Sequence, residues 1–151
     1  MAKSSTPVFP QKALNRIVEI DDTYIANALV TLVNVSSDYP DGAIIKELFA
    51  SNDDGTIVAD ITFWISQEGI DVPIGGDALV ANAGSDVATP TARDSYTSLI
   101  TSLANTSDAN GNESLRLDPD GLTGNTALKV SLSAAPASGK KVWVAALGES
   151  F

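Results

Sequence analysis

Short segments in which apolar and polar residues alternate restrict the fold of this chain more than any other feature. The clearest is 57–66, where one set of alternate positions is apolar and the other is mostly polar. The first set is Ala59, Ile61, Phe63 and Ile65, and the second is Asp60, Thr62, Trp64 and Ser66. A period of two is that of a β-strand with one buried face. An Asn-Asp-Asp-Gly turn at 52–55 separates it from the strand-like run 43–50, which predicts a β-hairpin.

Other strand-like segments follow one another at short spacing along the chain. They are 13–20, 28–35, 114–117, 128–133 and 142–147. Turn residues are concentrated at 75–77, 105–113, 118–125 and 136–139, whereas 96–103 has apolar residues at helical spacing and predicts a short helix or a covering loop. Short strands, turn-rich connections and no long amphipathic helix predict an all-β protein. We expect a single-domain, jelly-roll-like β-sandwich over residues 12–151.

The first eleven residues have a different character and predict an extended N-terminal arm. Pro7 and Pro10 flank Val8 and Phe9, and proline disfavours helix both at its own position and at the preceding one. Residues 1–11 are therefore either a frayed terminus or an arm whose Val8 and Phe9 dock on a neighbouring subunit. They lack the apolar core of a secretory signal, and no apolar run in the chain approaches the ~20 residues of a membrane helix.

The composition excludes several kinds of chemistry. The 151 residues include no cysteine and no histidine, which excludes disulfides, thiolate nucleophiles, Ser-His-Asp catalysis and zinc sites built from these residues. The formal net charge is −10, so nucleic acid would be repelled, and neither nucleic acid nor membrane is expected as a partner. The acidity itself favours solubility and suppresses non-specific association.

The acidic clusters suit turns better than catalysis or metal binding. The segment 108–113 resembles the start of a calcium loop, but glycine stands at its fourth position and Pro119 at its twelfth. A glycosidase needs two carboxylates that face each other across the substrate. The neighbouring pairs Asp21-Asp22 and Asp53-Asp54 lie at strand ends, where turn chemistry explains them. No cofactor is expected.

The two tryptophans, Trp64 and Trp143, are the largest aromatic side chains of the chain. Trp64 lies on the polar side of its strand, so it is covered by a loop, part of an interface, or a stacking platform for a sugar. The last alternative is a carbohydrate-binding module or receptor-binding tip, which would use Trp64, Tyr39 or Tyr96 as stacking platforms. An enzyme remains a further alternative, with few chemistries available to it.

Four segments of the chain resemble the small jelly-roll decoration, or cement, proteins of tailed-bacteriophage capsids. They are the Pro-containing opening AKSSTPVFP (2–10), the pair IIKELFASNDDGTIVADITFWIS (44–66), the strand KVSLSA (129–134) and the ending VWVAALGESF (142–151). The resemblance implies a homotrimer, made in the host cytoplasm and bound to the outer surface of the head, where it bridges major capsid proteins. It supplies no catalytic residues.

The resulting hypothesis is a non-enzymatic virion protein that stabilises an expanded capsid lattice. Its expected contact residues are Val8 and Phe9 in the arm, Trp64 on the trimer or capsid face, and Trp143 and Phe151 as further candidates. A tail or head–tail position is an alternative within the same class, since the same sandwich serves several positions in virions.

Overall fold

A computed structural model describes residues 12–84, 92–98, 106–107, 113–119 and 125–151 of the chain. The strands in these residues are β1 (Lys12–Asp21), β2 (Val30–Asn34), β3 (Ala43–Asn52), β4 (Asp60–Gln67), β5 (Ile70–Ala78), β6 (Asp94–Ser95), β7 (Thr106–Ser107), β8 (Glu113–Leu117), β9 (Asn125–Leu132) and β10 (Lys141–Ser150). In this part of the chain no helix is long and apolar enough to cross a membrane.

The strands form two antiparallel sheets with jelly-roll connectivity. The first sheet has the order β1-β10-β3-β8-β7, with β6 also paired to β3, and the second has the order β2-β9-β4-β5. Most successive long strands lie in opposite sheets, so the chain winds around the core. The predicted all-β, jelly-roll-like sandwich is confirmed.

The core lies between the sheets and follows the alternation of the sequence. Val142, Val144 and Ala146 of β10 are fully buried, as are Ile61 and Phe63 of β4. The residues between them point to the outer face of their sheet. No side-chain nitrogen or oxygen buried within the described residues lacks a hydrogen-bond partner.

The predicted hairpin between 43–50 and 57–66 is wrong. Both strands exist, but β3 belongs to the first sheet and β4 to the second, so residues 53–59 carry the chain from one sheet to the other. The side chain of Asn52 explains why the chain leaves the sheet there. Its Nδ2 donates to the carbonyl of Val80 at 2.6 Å, and its Oδ1 accepts from the amide of Asp54 at 3.1 Å.

The hairpin of this region is instead formed by β4 and β5. Glu68 and Gly69 close it with φ values of 51° and 80°, the left-handed pair that a two-residue hairpin turn requires. Residues 75–77, predicted as a turn, lie inside β5. Gly76 is needed there because an added Cβ would come within 1.9 Å of the carbonyl oxygen of Ile61 on β4.

The other predicted strands are found with shifted ends. The segment 28–35 corresponds to the shorter β2, whereas 128–133 and 142–147 correspond to the longer β9 and β10. Of the predicted helix at 96–103 only residues 96–98 are described. Tyr96 there donates its backbone amide to the carbonyl of Leu48 at 2.8 Å, directly after β6.

Antiparallel pairing gathers several connections at one end of the sandwich. Asp21 pairs with Lys141 and Val142 with Asn52, which places the end of β1, the start of β10 and the end of β3 together. We call this the loop end; it comprises residues 22–29, 53–59, 79–84 and 133–140. The opposite pole, where Lys12 pairs with Ser150, is called the terminal end.

The close approach at Gly76 gives a stability prediction. Gly76→Ala should lower the free energy of unfolding by about 3 kcal/mol, since β4 and β5 must separate to admit the methyl group. Gly69→Ala is the matched control: its Cβ would meet nothing within 4 Å, leaving only the strain of φ +80°, about 1–2 kcal/mol. Urea unfolding of both variants measures the difference, and equal losses would contradict the steric explanation.

Candidate interaction surfaces

Trp64 lies on the outer face of the second sheet and is tied to its own sheet. Its Nε1 donates to Ser131 Oγ at 2.9 Å, and the residue is half-buried. Lys129, its cross-strand neighbour on β9, forms an ion pair with Asp71 at 2.9 Å. On the other side its cross-strand neighbour is the exposed Pro73 of β5, so the indole is bordered by polar, paired groups on β9 and by an apolar ring on β5.

Trp143 lies on the outer face of the first sheet, on the opposite side of the sandwich. Its Nε1 donates to Glu19 Oε2 at 3.1 Å, and Glu19 also pairs with Lys141 at 2.8 Å. The hydrogen bond from Lys141, followed by that from Trp143, holds the pKa of Glu19 below its ordinary value. Trp64 and Trp143 are both candidate contact residues, and the fold places them on opposite surfaces of the sandwich.

An apolar surface surrounds Trp143. Ile17, Ala145 and Phe49 stand opposite one another on β1, β10 and β3, and Ile17 is 59% exposed. Leu147 and Trp143 occupy the two adjacent outward positions of β10, both half-buried. These five residues (Ile17, Phe49, Trp143, Ala145 and Leu147) are called the first-sheet face.

Several charged side chains around the first-sheet face are paired with one another or with its rings, while Glu47, opposite Leu147 on β3, is an exposed carboxylate at its edge. Lys141 pairs with Glu19, and Lys46 pairs with Glu149 at 3.0 Å. The guanidinium of Arg93 lies 3.8 Å from the centre of the Phe49 ring, in a cation–π contact. An apolar centre within a charged rim is the anatomy of a protein–protein contact.

Phe151 is held at the terminal end. Its amide donates to the carbonyl of Gly42 at 3.2 Å, and the guanidinium of Arg116 lies 4.7 Å from its ring centre. Arg116 is fixed in turn by an ion pair with Asp118 at 3.1 Å. The half-buried ring is thus part of the fold, away from Trp143 at the start of β10.

Tyr39 and Tyr96 do not join Trp64 in a stacking platform. Tyr96 is 5% exposed, and its ring packs against Phe63 with 5.3 Å between centroids. Tyr39 is partly buried against the same core, whereas Trp64 lies on the outside of the second sheet. The interpretation of Tyr96 as a surface platform is wrong, because it fills the space between the sheets.

The acidic pairs serve the turns, as their positions predicted. Asp53 Oδ1 accepts the amide of Lys141 at 2.8 Å, and Asp54 Oδ2 accepts that of Ala137 at 2.9 Å. Asp22 Oδ2 accepts the amide of Gly139 at 2.7 Å, and Asp21 Oδ1 accepts that of Thr23 at 2.9 Å. Each of the four carboxylates therefore accepts a backbone amide and holds a turn or connection in place.

Asp54 is the buried member of these pairs, with 2% exposure. Burial raises the pKa of Asp54, but hydrogen bonds from the Ala137 amide and from the amide and hydroxyl of Thr56 outweigh it and leave the pKa below its ordinary value. The ionised form is thus the one the fold stabilises.

Some predicted site residues fall outside the described residues. Val8 and Phe9 are among them, and so are positions 108–112 of the calcium-like loop. In the described part of the chain, no group of three or more acidic side chains is placed to hold a metal ion.

Several exposed aliphatic residues were not singled out from the sequence. Ile17 lies between Arg16 and Val18 in the predicted strand 13–20. Others are in connections or near the ends of strands: Ile25, Leu29, Val58, Ile70, Val72 and Val80. The sequence signal for such an exposed residue is a single aliphatic side chain within a turn-rich connection. This signal is weak, because single aliphatic residues are common on protein surfaces.

No family model and no characterised protein matches the sequence. Among solved structures the chain is similar to one in the capsid asymmetric unit of cyanophage Pam1, with a TM-score of 0.43, 16% identity, and coverage of 99% of this chain and 94% of that one. It is also similar to a chain in the structure of infectious bursal disease virus Gt strain, with a TM-score of 0.32, 14% identity, and coverage of 96% of this chain and 36% of that one. At these TM-scores the similarities carry no functional argument.

The hydrogen bonds of Asp54 predict a pH-dependent contribution to stability. The pKa of Asp54 is lower in the folded state than its ordinary value of 3.8. The stability that Asp54 contributes is therefore complete above about pH 3.8, and it is lost as the pH falls from there through the folded-state pKa. Asp54→Asn should lower the free energy of unfolding by about 1–3 kcal/mol at pH 7 and weaken its dependence on pH below about 4. Asp60→Asn, at an exposed carboxylate, is the control. Urea unfolding from pH 3 to 7 measures both, and parallel pH profiles for wild type and Asp54→Asn would refute the assignment.

Proposed function

We propose that this protein is a non-enzymatic structural component of a virion, which decorates the outer surface of a tailed-phage head as a homotrimer and bridges major capsid proteins. The observation that carries the proposal is the first-sheet face, with its apolar centre and paired charged rim. The resemblance of four sequence segments to capsid decoration proteins points in the same direction.

The charges around the first-sheet face favour association with another copy of the chain. The chain has a formal net charge of −10, so two copies repel each other at most orientations. Around this face, however, Lys141 and Lys46 neutralise Glu19 and Glu149. These ion pairs lower the electrostatic cost of bringing a second copy of the chain to this side.

A trimer requires two different surfaces from each copy. In a closed three-fold ring the contacts are heterologous, so a face meets a different part of the next copy. The arm supplies that second part: residues 1–11 contain Lys3 and no acidic residue, and they carry Val8 and Phe9. In the proposed trimer these apolar side chains pack on the first-sheet face of the neighbouring copy.

The carboxylates support a structural role over a hydrolytic one. The pairs that could have suggested acid–base chemistry, Asp21-Asp22 and Asp53-Asp54, accept backbone amides. A glycosidase would instead need two carboxyl groups facing a shared cleft. Attachment to a shell needs no such cleft, because many modest contacts multiplied by avidity are sufficient.

Removing the arm tests the proposed assembly. Deletion of residues 1–11 should weaken trimer formation or attachment to capsids while the thermal unfolding of the domain stays nearly the same, since β1 begins at Lys12. Light scattering measures the solution mass, and cosedimentation with capsids measures attachment. If both are unchanged by the deletion, the arm has no part in assembly.

Ile17→Glu tests the first-sheet face. The added charge on a residue with 59% exposure should weaken self-association about tenfold or more with little effect on folding. Thr31→Glu, exposed on an edge strand of the second sheet, is the matched control and should leave the mass unchanged. Combined with the arm deletion, Ile17→Glu should add nothing further, because both changes remove the same contact. Additive effects would show that the arm and this face do not meet.

A further inference from the structure

Aliphatic side chains are exposed together at the loop end. Val58 is 90% exposed, Ile25 76%, Val80 42% and Leu29 39%. They come from three different connections of the chain, namely 22–29, 53–59 and 79–84. A fold that buries its core residues almost completely has no stability reason to place so many aliphatic groups in water at one end.

Backbone hydrogen bonds bring these connections side by side. The amide of Leu79 donates to the carbonyl of Ala59 at 2.9 Å, which continues the pairing of β4 and β5 and sets Val58 beside Val80. The amide of Asn27 donates to the carbonyl of Leu132 at 2.8 Å, which ties the connection carrying Ile25 to the end of β9. The connections that carry the aliphatic groups are therefore tied to neighbouring strand ends of the second sheet, which form a common platform.

The platform is also braced by side chains. Asp22 accepts from Gly139 and Asp54 accepts from Ala137, so each of these bonds joins two connections. Asn52 donates to Val80 and ties the end of β3 to a third connection. The hydroxyl of Tyr24 accepts from the amide of Leu132 at 3.0 Å. A surface whose conformation is fixed before contact loses less conformational entropy on binding.

The charge of the loop end indicates the nature of its partner. Asp60 and Asp77 are exposed at the start of β4 and near the end of β5, and Asp22 is exposed nearby, with Lys140 as an exposed cation. Two identical loop ends would repel each other through this excess of carboxylates. A surface bearing Lys or Arg around an apolar patch would instead be attracted to it.

We propose that the loop end is the surface that attaches to the shell, and that its partner there is a basic-rimmed apolar patch of the major capsid protein. The inference rests on the proposed function and adds which pole of the domain faces the shell. Val58 and Ile25 are its central contacts, and Asp60 and Asp77 belong to its charged rim.

The topology separates this contact from self-association. The arm leaves the domain at Lys12, whose partner Ser150 lies at the terminal end. The ten residues of β1 span about 30 Å from there to the loop end. The arm of one copy therefore leaves at the terminal end and docks on the first-sheet face of the next copy, whereas shell attachment uses the connections of the loop end. The two contacts use different residues, so variants can alter one without the other.

The experiment compares two double variants in binding to expanded shells of the major capsid protein from the same virion, prepared without this protein. Ile25→Ser with Val58→Ser should weaken cosedimentation about tenfold or more, the usual effect of removing central apolar contacts. The matched control is Ile70→Ser with Val72→Ser, at residues 67% and 37% exposed on β5 near the terminal end, and it should bind like wild type. Light scattering should show the same solution mass for both.

A second measurement tests the charge of the partner. Asp60→Asn with Asp77→Asn should weaken shell binding at low salt and reduce its dependence on ionic strength. Loss of binding in the Ile70/Val72 variant with retention in the Ile25/Val58 variant would overturn the loop-end inference while leaving the proposed function intact. Failure of the wild-type protein to bind shells would overturn both.

Discussion

The turn at Asn52–Asp54 is the constraint on which the rest of the fold depends. Its side chains form hydrogen bonds with two other connections, at Val80 and at Ala137, and with the first residue of β10, Lys141. These bonds direct the chain out of the first sheet and into the second. If this turn simply closed a hairpin, β3 and β4 would lie in one sheet and the two layers would not enclose a common core.

The crossing between sheets also decides which residues face outwards. Once β4 lies in the second sheet, Trp64 belongs to a polar face where Ser131 holds its indole nitrogen. Trp143 belongs to the other face, beside the exposed Ile17 and the Arg93–Phe49 contact. The two faces differ in chemistry: Trp64 is held by Ser131 beside the Lys129–Asp71 ion pair, whereas Trp143 borders an apolar centre formed by residues of three strands.

The local pattern of β4 was predictable from the sequence, while its partner strands were not. Alternation at 59–66 identifies the buried and exposed residues without knowledge of the neighbours, because the side-chain period of a strand is a local property. The assignment of Asn52–Gly55 to a hairpin failed because Asp-Gly is equally suited to a crossing whose carboxylates cap distant amides. The turn at Glu68–Gly69 was missed because glutamate is unusual at a left-handed position.

Of the residues that form the first-sheet face, the sequence analysis singled out Trp143 but not Ile17 and Phe49 beside it, because cross-strand neighbours come from distant positions in the chain. By itself the sequence determined the all-β class, the direction of the strand faces and the absence of histidine and cysteine chemistry. Each of these follows from composition or from a period of two residues. Tertiary structure alone decided which strands pair, that Tyr96 fills the core, and that Ile25 and Val58 share one end of the sandwich, since these depend on contacts between segments far apart in sequence.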